Sequence, residues 1–157
     1  MPAGAPYFGR FHFNHPSSNV EQALLNTLGR FNLKLLSGGD GEPDFVGNID
    51  DGYAKLSGRF ISSFTVAIAI PILAWLELFL ATNPSKIRFD IAMEYFSTSA
   101  SEIIAEILKA LEKYQRVHSA SIVKVYWYYH EDDEDMEEAG DEFTQLVPAL
   151  VMENIAY

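Results

Sequence analysis

The chain is 157 residues long, 48% hydrophobic and 21% charged, with no cysteine and a formal net charge of −11. This length and balance fit one folded domain with its own core. The missing cysteines exclude disulfides, thiolate metal sites and cysteine nucleophiles, and they fit a reducing, cytoplasmic setting. The charge argues against a nucleic-acid partner and against adsorption to an anionic membrane, because both want clustered Lys and Arg.

The start, Met1-Pro2-Ala3-Gly4, lacks the basic stretch and apolar run of a signal peptide. Residues 1–18 hold Tyr7, Phe8, Phe11 and Phe13 among Pro and Gly without a period, and read as an extended arm. Val20, Ala23, Leu24 and Leu28 fall at helical spacing, so a short helix is expected over Asn19 to Arg30. Phe31 to Leu36 reads as a strand, and Ser37 to Pro43 as a loop punctuated by glycines and a proline. The glycines do not make a phosphate cradle: neither a following Gly-Lys-Ser/Thr nor dinucleotide spacing is present.

Asp44 to Ile49 and Tyr53 to Phe60 read as two strands joined at Asp50-Asp51-Gly52, where Asp-Gly supplies the positive φ of a tight hairpin. From Phe60 to Ala81 only Glu77 is charged, a length near that of a membrane span. Ser62, Ser63, Thr65 and Pro71, together with neighbouring strands that need cover, favour a buried, kinked core helix ending at Asn83-Pro84. Ile87, Phe89, Ile91 and Met93 alternate with Arg88, Asp90, Ala92 and Glu94 as in a half-buried strand.

Ser99-Ala100-Ser101-Glu102 has the form of a capping box, which makes Ser99 the expected N-cap and leaves Thr98 just outside the helix. Ile103, Ile104, Ile107, Leu108, Leu111 and Tyr114 form that helix's apolar stripe. Ile122 to Tyr129 is apolar and aromatic enough for an interior strand. An acidic segment, Glu131 to Glu138, leads to a helix near Glu137 to Leu146, and a last strand is expected over Ala149 to Ile155. Strands alternating with helices imply an α/β fold of one domain, a mixed sheet of four to six strands with helices packed on it.

The chemistry-bearing candidates are few. The run Glu131-Asp132-Asp133-Glu134-Asp135 fails as a calcium loop, because the glycine position holds Glu138 and the closing glutamate position holds Thr144. It reads as a solvated turn or a partner-facing acidic patch. His12 and His15 have ligand spacing but no third ligand nearby, and no nucleophile elbow occurs. Neither a metal nor a cofactor is implied, and the enzyme case is thin. Tyr95 to Ser101 remains, where a strand gives way to a helix: a phosphate on Thr98 would meet the positive end of the helix dipole, whereas the plainer role of these hydroxyls is capping.

Tyr95-Phe96-Ser97-Thr98-Ser99, then Val125-Tyr126-Trp127-Tyr128-Tyr129, then Asp132-Asp133-Glu134-Asp135-Met136 with Gly140 and Glu142-Phe143, together resemble the SiaC-type regulatory phosphoproteins. Leu56-x-Gly58-Arg59 and Pro71-x-Leu73-x-Trp75-Leu76 fall at the family's spacing, so the resemblance spans about residues 45–155. It implies a fold similar to the STAS-like anti-sigma-factor antagonists and a non-enzymatic role as a phosphorylation-switched adaptor. A Ser/Thr protein kinase would phosphorylate the threonine that matches Thr98, and a PP2C-type phosphatase would remove the phosphate. The unphosphorylated form would engage an output partner, in some systems a diguanylate cyclase of cyclic di-GMP signalling. Ser97, Ser99, Ser101, Asp132, Asp133 and Asp135 are the partner-binding candidates carried with Thr98. The implied division is an arm of residues 1–43, able to pack on the domain, and a regulatory domain of residues 44–157.

Two departures qualify the match. Ser97 and Ala100 replace the family's Asn and Ser around the threonine, and Phe60-Ile61-Ser62-Ser63-Phe64 replaces its Ser-Tyr-Pro-Glu-Asn. The second substitution motivates an alternative, a constitutive protein–protein module of the same fold that has lost the switch.

Overall fold

The computed structural model describes residues 33–39, 41–61 and 65–157. The expected arm over 1–18, the helix over 19–30 and the His12/His15 pair lie outside the described residues. Among the described residues six strands form one sheet in chain order: β1 (Leu33–Gly39), β2 (Glu42–Asn48), β3 (Tyr53–Phe60), β4 (Lys86–Phe96), β5 (Ile122–Tyr129) and β6 (Val151–Ala156). Three helices connect the last four strands: α1 (Thr65–Ala81), α2 (Thr98–Val117) and α3 (Glu134–Leu146). The first three strands pair antiparallel, whereas β3 to β6 pair parallel, so the sheet is mixed.

The β1–β2 junction corrects the expected loop. Ser37 to Gly39 belong to β1 and Glu42-Pro43 to β2, with Gly39 paired to Glu42 and Gly41 at φ 76° in the turn. Glycine lets the chain reverse here in two residues, so the segment that looked like a long loop is a hairpin. The second hairpin is as expected: Gly52 sits at φ 63° and Asn48 pairs with Tyr53. An added Cβ on Gly52 would also collide with the Lys86 carbonyl oxygen.

Parallel neighbours joined by a helix are connected right-handedly, so three successive crossovers in one direction put all three helices on one face of the sheet. Burial agrees. Phe45, Leu56, Phe89, Ile91, Val125 and Trp127 are fully buried on the helix side, while Lys55, Arg88 and Lys124 on the alternating positions are exposed. Helix α1 fills the middle of this core, with Ile72, Leu73, Leu76 and Phe79 at 0% exposure. It runs unbroken through Pro71, and no helix among the described residues is long and apolar enough to cross a membrane.

The same topology points the N-termini of the three described helices the same way. Ile61, Ser97–Ser99 and Asp132–Asp135 follow the carboxyl ends of β3, β4 and β5, so one end of the domain gathers all three.

Candidate functional site

At this end the strands are tied to one another. The Ser97 N–H donates to the Phe60 carbonyl at 3.0 Å, joining the ends of β4 and β3, and the Ile61 N–H donates to the Gly41 carbonyl at 2.9 Å. Phe96 turns inward and meets Trp127 of β5 and Phe143 of α3, with ring centroids 6.1 and 6.2 Å away. The Trp127 indole N–H donates to the Met136 carbonyl at 2.9 Å, which pins the first turn of α3 over β5. Gly140 lies against that indole, where an added Cβ would come within 2.6 Å of Trp127 Cδ1.

The start of α2 differs from the expected capping box. Ser97, not Ser99, is the N-cap: its Oγ accepts the Ala100 N–H at 3.1 Å. The box pattern misleads because the backbone leaves the β region at Thr98, which puts Ser99 inside the first turn and leaves Glu102 exposed. Thr98 is therefore the first helical residue, not a residue outside the helix. It is exposed, as is Ser99, whereas the Ser101 hydroxyl donates to the Thr98 carbonyl at 2.6 Å. No acidic side chain occupies the first turn of α2.

The acidic run is also placed differently. Helix α3 begins at Glu134, with Asp133 as its N-cap accepting the Met136 N–H at 3.0 Å. Glu134, Asp135 and Glu137 load its first turn, where carboxylates favour the dipole. Asp132 and Asp135 are exposed, and Asp132 stands 3.8 Å from His130. Tyr129 donates to Glu137 at 2.9 Å, and this bond pushes the phenol's pKa up. Topology thus brings Ser97, Thr98, Ser99 and Ser101 to the same end as Asp132, Asp133 and Asp135, on adjacent helix starts.

A second polar centre lies on the sheet face that none of the described helices covers, called the helix-free face in that sense. Asp90, 5% exposed, accepts from Tyr53 Oη at 3.0 Å and from Arg88 Nε at 3.0 Å. Arg88 Nη2 reaches Tyr128 Oη at 3.0 Å, and the guanidinium carbon lies 4.5 Å from the Tyr126 ring centroid. Burial, then the bond to Asp90, pushes the Tyr53 phenol up to about 12; the Asp90 hydrogen bond raises Arg88 further above its already high value. In sequence Arg88 and Asp90 read only as the polar side of a half-buried strand, and β5 as an apolar and aromatic interior strand. The period of two that puts Tyr126 and Tyr128 beside them was the available signal.

The family model described as SiaC family regulatory phosphoprotein matches residues 36–157. Comparison with curated proteins returns no match. Among solved structures, SiaC of Pseudomonas aeruginosa is similar with a TM-score of 0.73 at 20% identity, covering 81% of this chain and 99% of that one. A chain in the crystal structure of diguanylate cyclase SiaD in complex with its activator SiaC, from the same organism, gives 0.72 at 21% identity, covering 78% and 98%. Apo-SiaC of that organism gives 0.70 at 21%, covering 79% and 98%. At these identities the structural likeness is one of fold, and the fold is the one built above from hairpins and one-sided crossovers. The family match takes in every strand from β2 onward and all three helices, and on it the chain belongs to the SiaC family of regulatory phosphoproteins.

Proposed function

We propose that this chain is a non-enzymatic, cytoplasmic adaptor switched by phosphorylation of Thr98. A Ser/Thr protein kinase adds the phosphate and a PP2C-type phosphatase removes it. The unphosphorylated form holds an output protein, a diguanylate cyclase being the favoured kind, since SiaC is the activator of the cyclase SiaD in the complex that resembles this fold. Ser97, Ser99, Ser101, Asp132, Asp133 and Asp135 frame the partner-binding end.

One observation carries this reading: Thr98 is exposed at the first position of a 20-residue helix whose first turn holds no acid, while Ser97 and Ser101 on either side are engaged with the backbone. A phosphate there adds roughly −1.5 to −2 charges. The helix end accepts that charge, so the fold persists. The cost falls on a partner that must bury the dianion beside the carboxylates of α3. Intact-mass measurement and phosphopeptide mapping of protein from its native host should find one phosphate, on Thr98. Thr98→Ala should keep cyclase binding and lose its regulation; a phosphate mapped to Ser99, or to no residue, sinks the switch.

A second reading, a constitutive module, draws on the apolar replacement of the family's charged segment: Ile61 stays 37% exposed where that segment begins. Cyclase binding that is equal for protein phosphorylated by the kinase and for unmodified protein would favour it.

A further inference from the structure

The helix-free face of the sheet differs in charge from the rest of the chain. Residues 130–157 hold ten Asp and Glu and no Lys or Arg, which accounts for nearly all of the net −11. By contrast Lys55, Lys86, Arg88 and Lys124, four of the eight Lys and Arg side chains described, lie together on the helix-free side of β3, β4 and β5. Register makes them neighbours. Tyr53, Arg88, Lys124 and Val151 form one row across β3 to β6; Lys55, Asp90, Tyr126 and Glu153 form the next; Lys86 pairs with Ile122.

Asp90 is spent on Arg88 and Tyr53, so Glu153 alone opposes the exposed Lys55, Lys86 and Lys124 within these rows. Between the lysines stand apolar groups in water: Ile122 is 51% exposed and Val151 50%. Tyr126 and Tyr128 are held in place by the Arg88 guanidinium. Rigid Tyr and Arg anchors beside aliphatic groups, with mobile lysines at the rim, are the composition of a protein interface. Ordering these anchors costs little on binding, because Asp90 already fixes Arg88 and Arg88 in turn holds Tyr126 and Tyr128.

We infer that the helix-free face around Arg88, Tyr126 and Tyr128 is a second docking surface, and that it takes a protein segment with Asp or Glu interleaved among Leu and Phe. This goes beyond the proposed switch, which uses the sheet's carboxyl end. Charge complementarity selects an acidic occupant. A second copy of this chain is disfavoured by two net charges of −11, and a single-stranded nucleic acid by an arginine already committed to Asp90 and so not free for phosphate.

The test uses the full chain and a fluorescent 14-residue peptide alternating Glu with Leu and Phe. The same peptide with Gln for Glu, and a single-stranded oligouridine, serve as alternatives, with anisotropy read at low and at 0.5 M salt. Binding should favour the Glu peptide over the Gln peptide at least tenfold and weaken with salt. The double variant Lys86→Glu/Lys124→Glu should lose at least tenfold. Lys109→Glu/Lys113→Glu on α2, with the same change in net charge, should lose less than threefold. Far-ultraviolet circular dichroism checks that both fold. Equal losses in the two variants, no preference for Glu over Gln, tighter binding of oligouridine, or sedimentation showing that the face is taken by a second copy would each overturn the inference. Thr98→Glu should leave peptide affinity unchanged, which keeps this surface separable from the switch.

Discussion

The N-termini of α2 and α3 stand side by side at the carboxyl ends of β4 and β5 and face the same electrostatic demand, orphan N–H groups and a positive dipole end. Helix α3 meets it permanently: Asp133 caps, and Glu134, Asp135 and Glu137 fill the first turn. Helix α2 meets it with hydroxyls alone, Ser97 capping and no carboxylate following within the turn. The difference shows where a removable charge has room to act. A phosphate on α3 would join four carboxylates already in place, whereas on α2 it supplies what the helix end lacks.

The largest effect should come from breaking the link that holds the two starts together. Trp127 is fully buried, touches Phe96 and Phe143, and holds the Met136 carbonyl with its indole N–H. Trp127→Ala leaves a cavity and an unpaired carbonyl, for an expected cost of about 3–5 kcal/mol by urea denaturation. Amide exchange in residues 133–140 should rise more than in 98–104, because α3 loses a hydrogen bond as well as a ring contact, whereas the α2 start loses only the ring contact made by Phe96. Equal acceleration in both would mean that the two helix starts open as one unit, and the comparison would lose its force.

A smaller effect concerns α2 further along. Glu106 is 6% exposed with both carboxylate oxygens unpartnered, and burial pushes its pKa up to about 7 from 4.5, with Lys109 lowering and Glu102 raising it slightly. The folded state therefore holds this proton more tightly than the unfolded state. Stability should fall as pH rises from about 4.5 through 7, and the full penalty is present above 7. Glu106→Gln should remove the penalty, raising stability at pH 8 by about 1–2 kcal/mol after solvent screening and changing little at pH 4. A wild-type minus variant difference that is flat across that range would show that Glu106 pairs in solution.

Much of this architecture could be read from residues. The boundaries expected for β5 match, because Ile122 to Tyr129 is bracketed by polar turns, and Asp51-Gly52 marks its hairpin because Gly52 has the positive φ that reversal needs. The Ser37–Pro43 segment was misjudged because glycines that break a helix are tolerated in an edge hairpin. The start of α2 was misplaced by two residues because Ser97 and Ser99 are equally good caps in sequence, and only the backbone path out of β4 decides between them. The α3 start was set too late because carboxylates that repel one another in a run stabilise a helix when they fall in its first turn. Least legible was the helix-free face: Arg88, Asp90, Tyr53 and Tyr128 come from three strands, and the register that joins them is not a local property.

The smallest effects decide which hydroxyl does what at the start of α2. Ser97→Ala removes the acceptor for the Ala100 N–H and should cost about 1 kcal/mol. Ser99→Ala should change stability by less than about 0.5 kcal/mol, since Ser99 is exposed and a helix interior favours alanine. Thr98→Asp should stabilise by about 0.3–1 kcal/mol at low salt and lose that gain at 0.5 M, because a carboxylate there meets an uncompensated dipole end. The matching change at the other helix start, Glu134→Gln, should give a smaller response, as Asp135 and Glu137 remain to serve that end. Thermal melts of the four variants at two salt concentrations measure all of this. If Thr98→Asp destabilises while Glu134→Gln costs more than Ser97→Ala, then α2 has no unmet demand for charge, and Thr98 loses the physical reason for being the place where one is added.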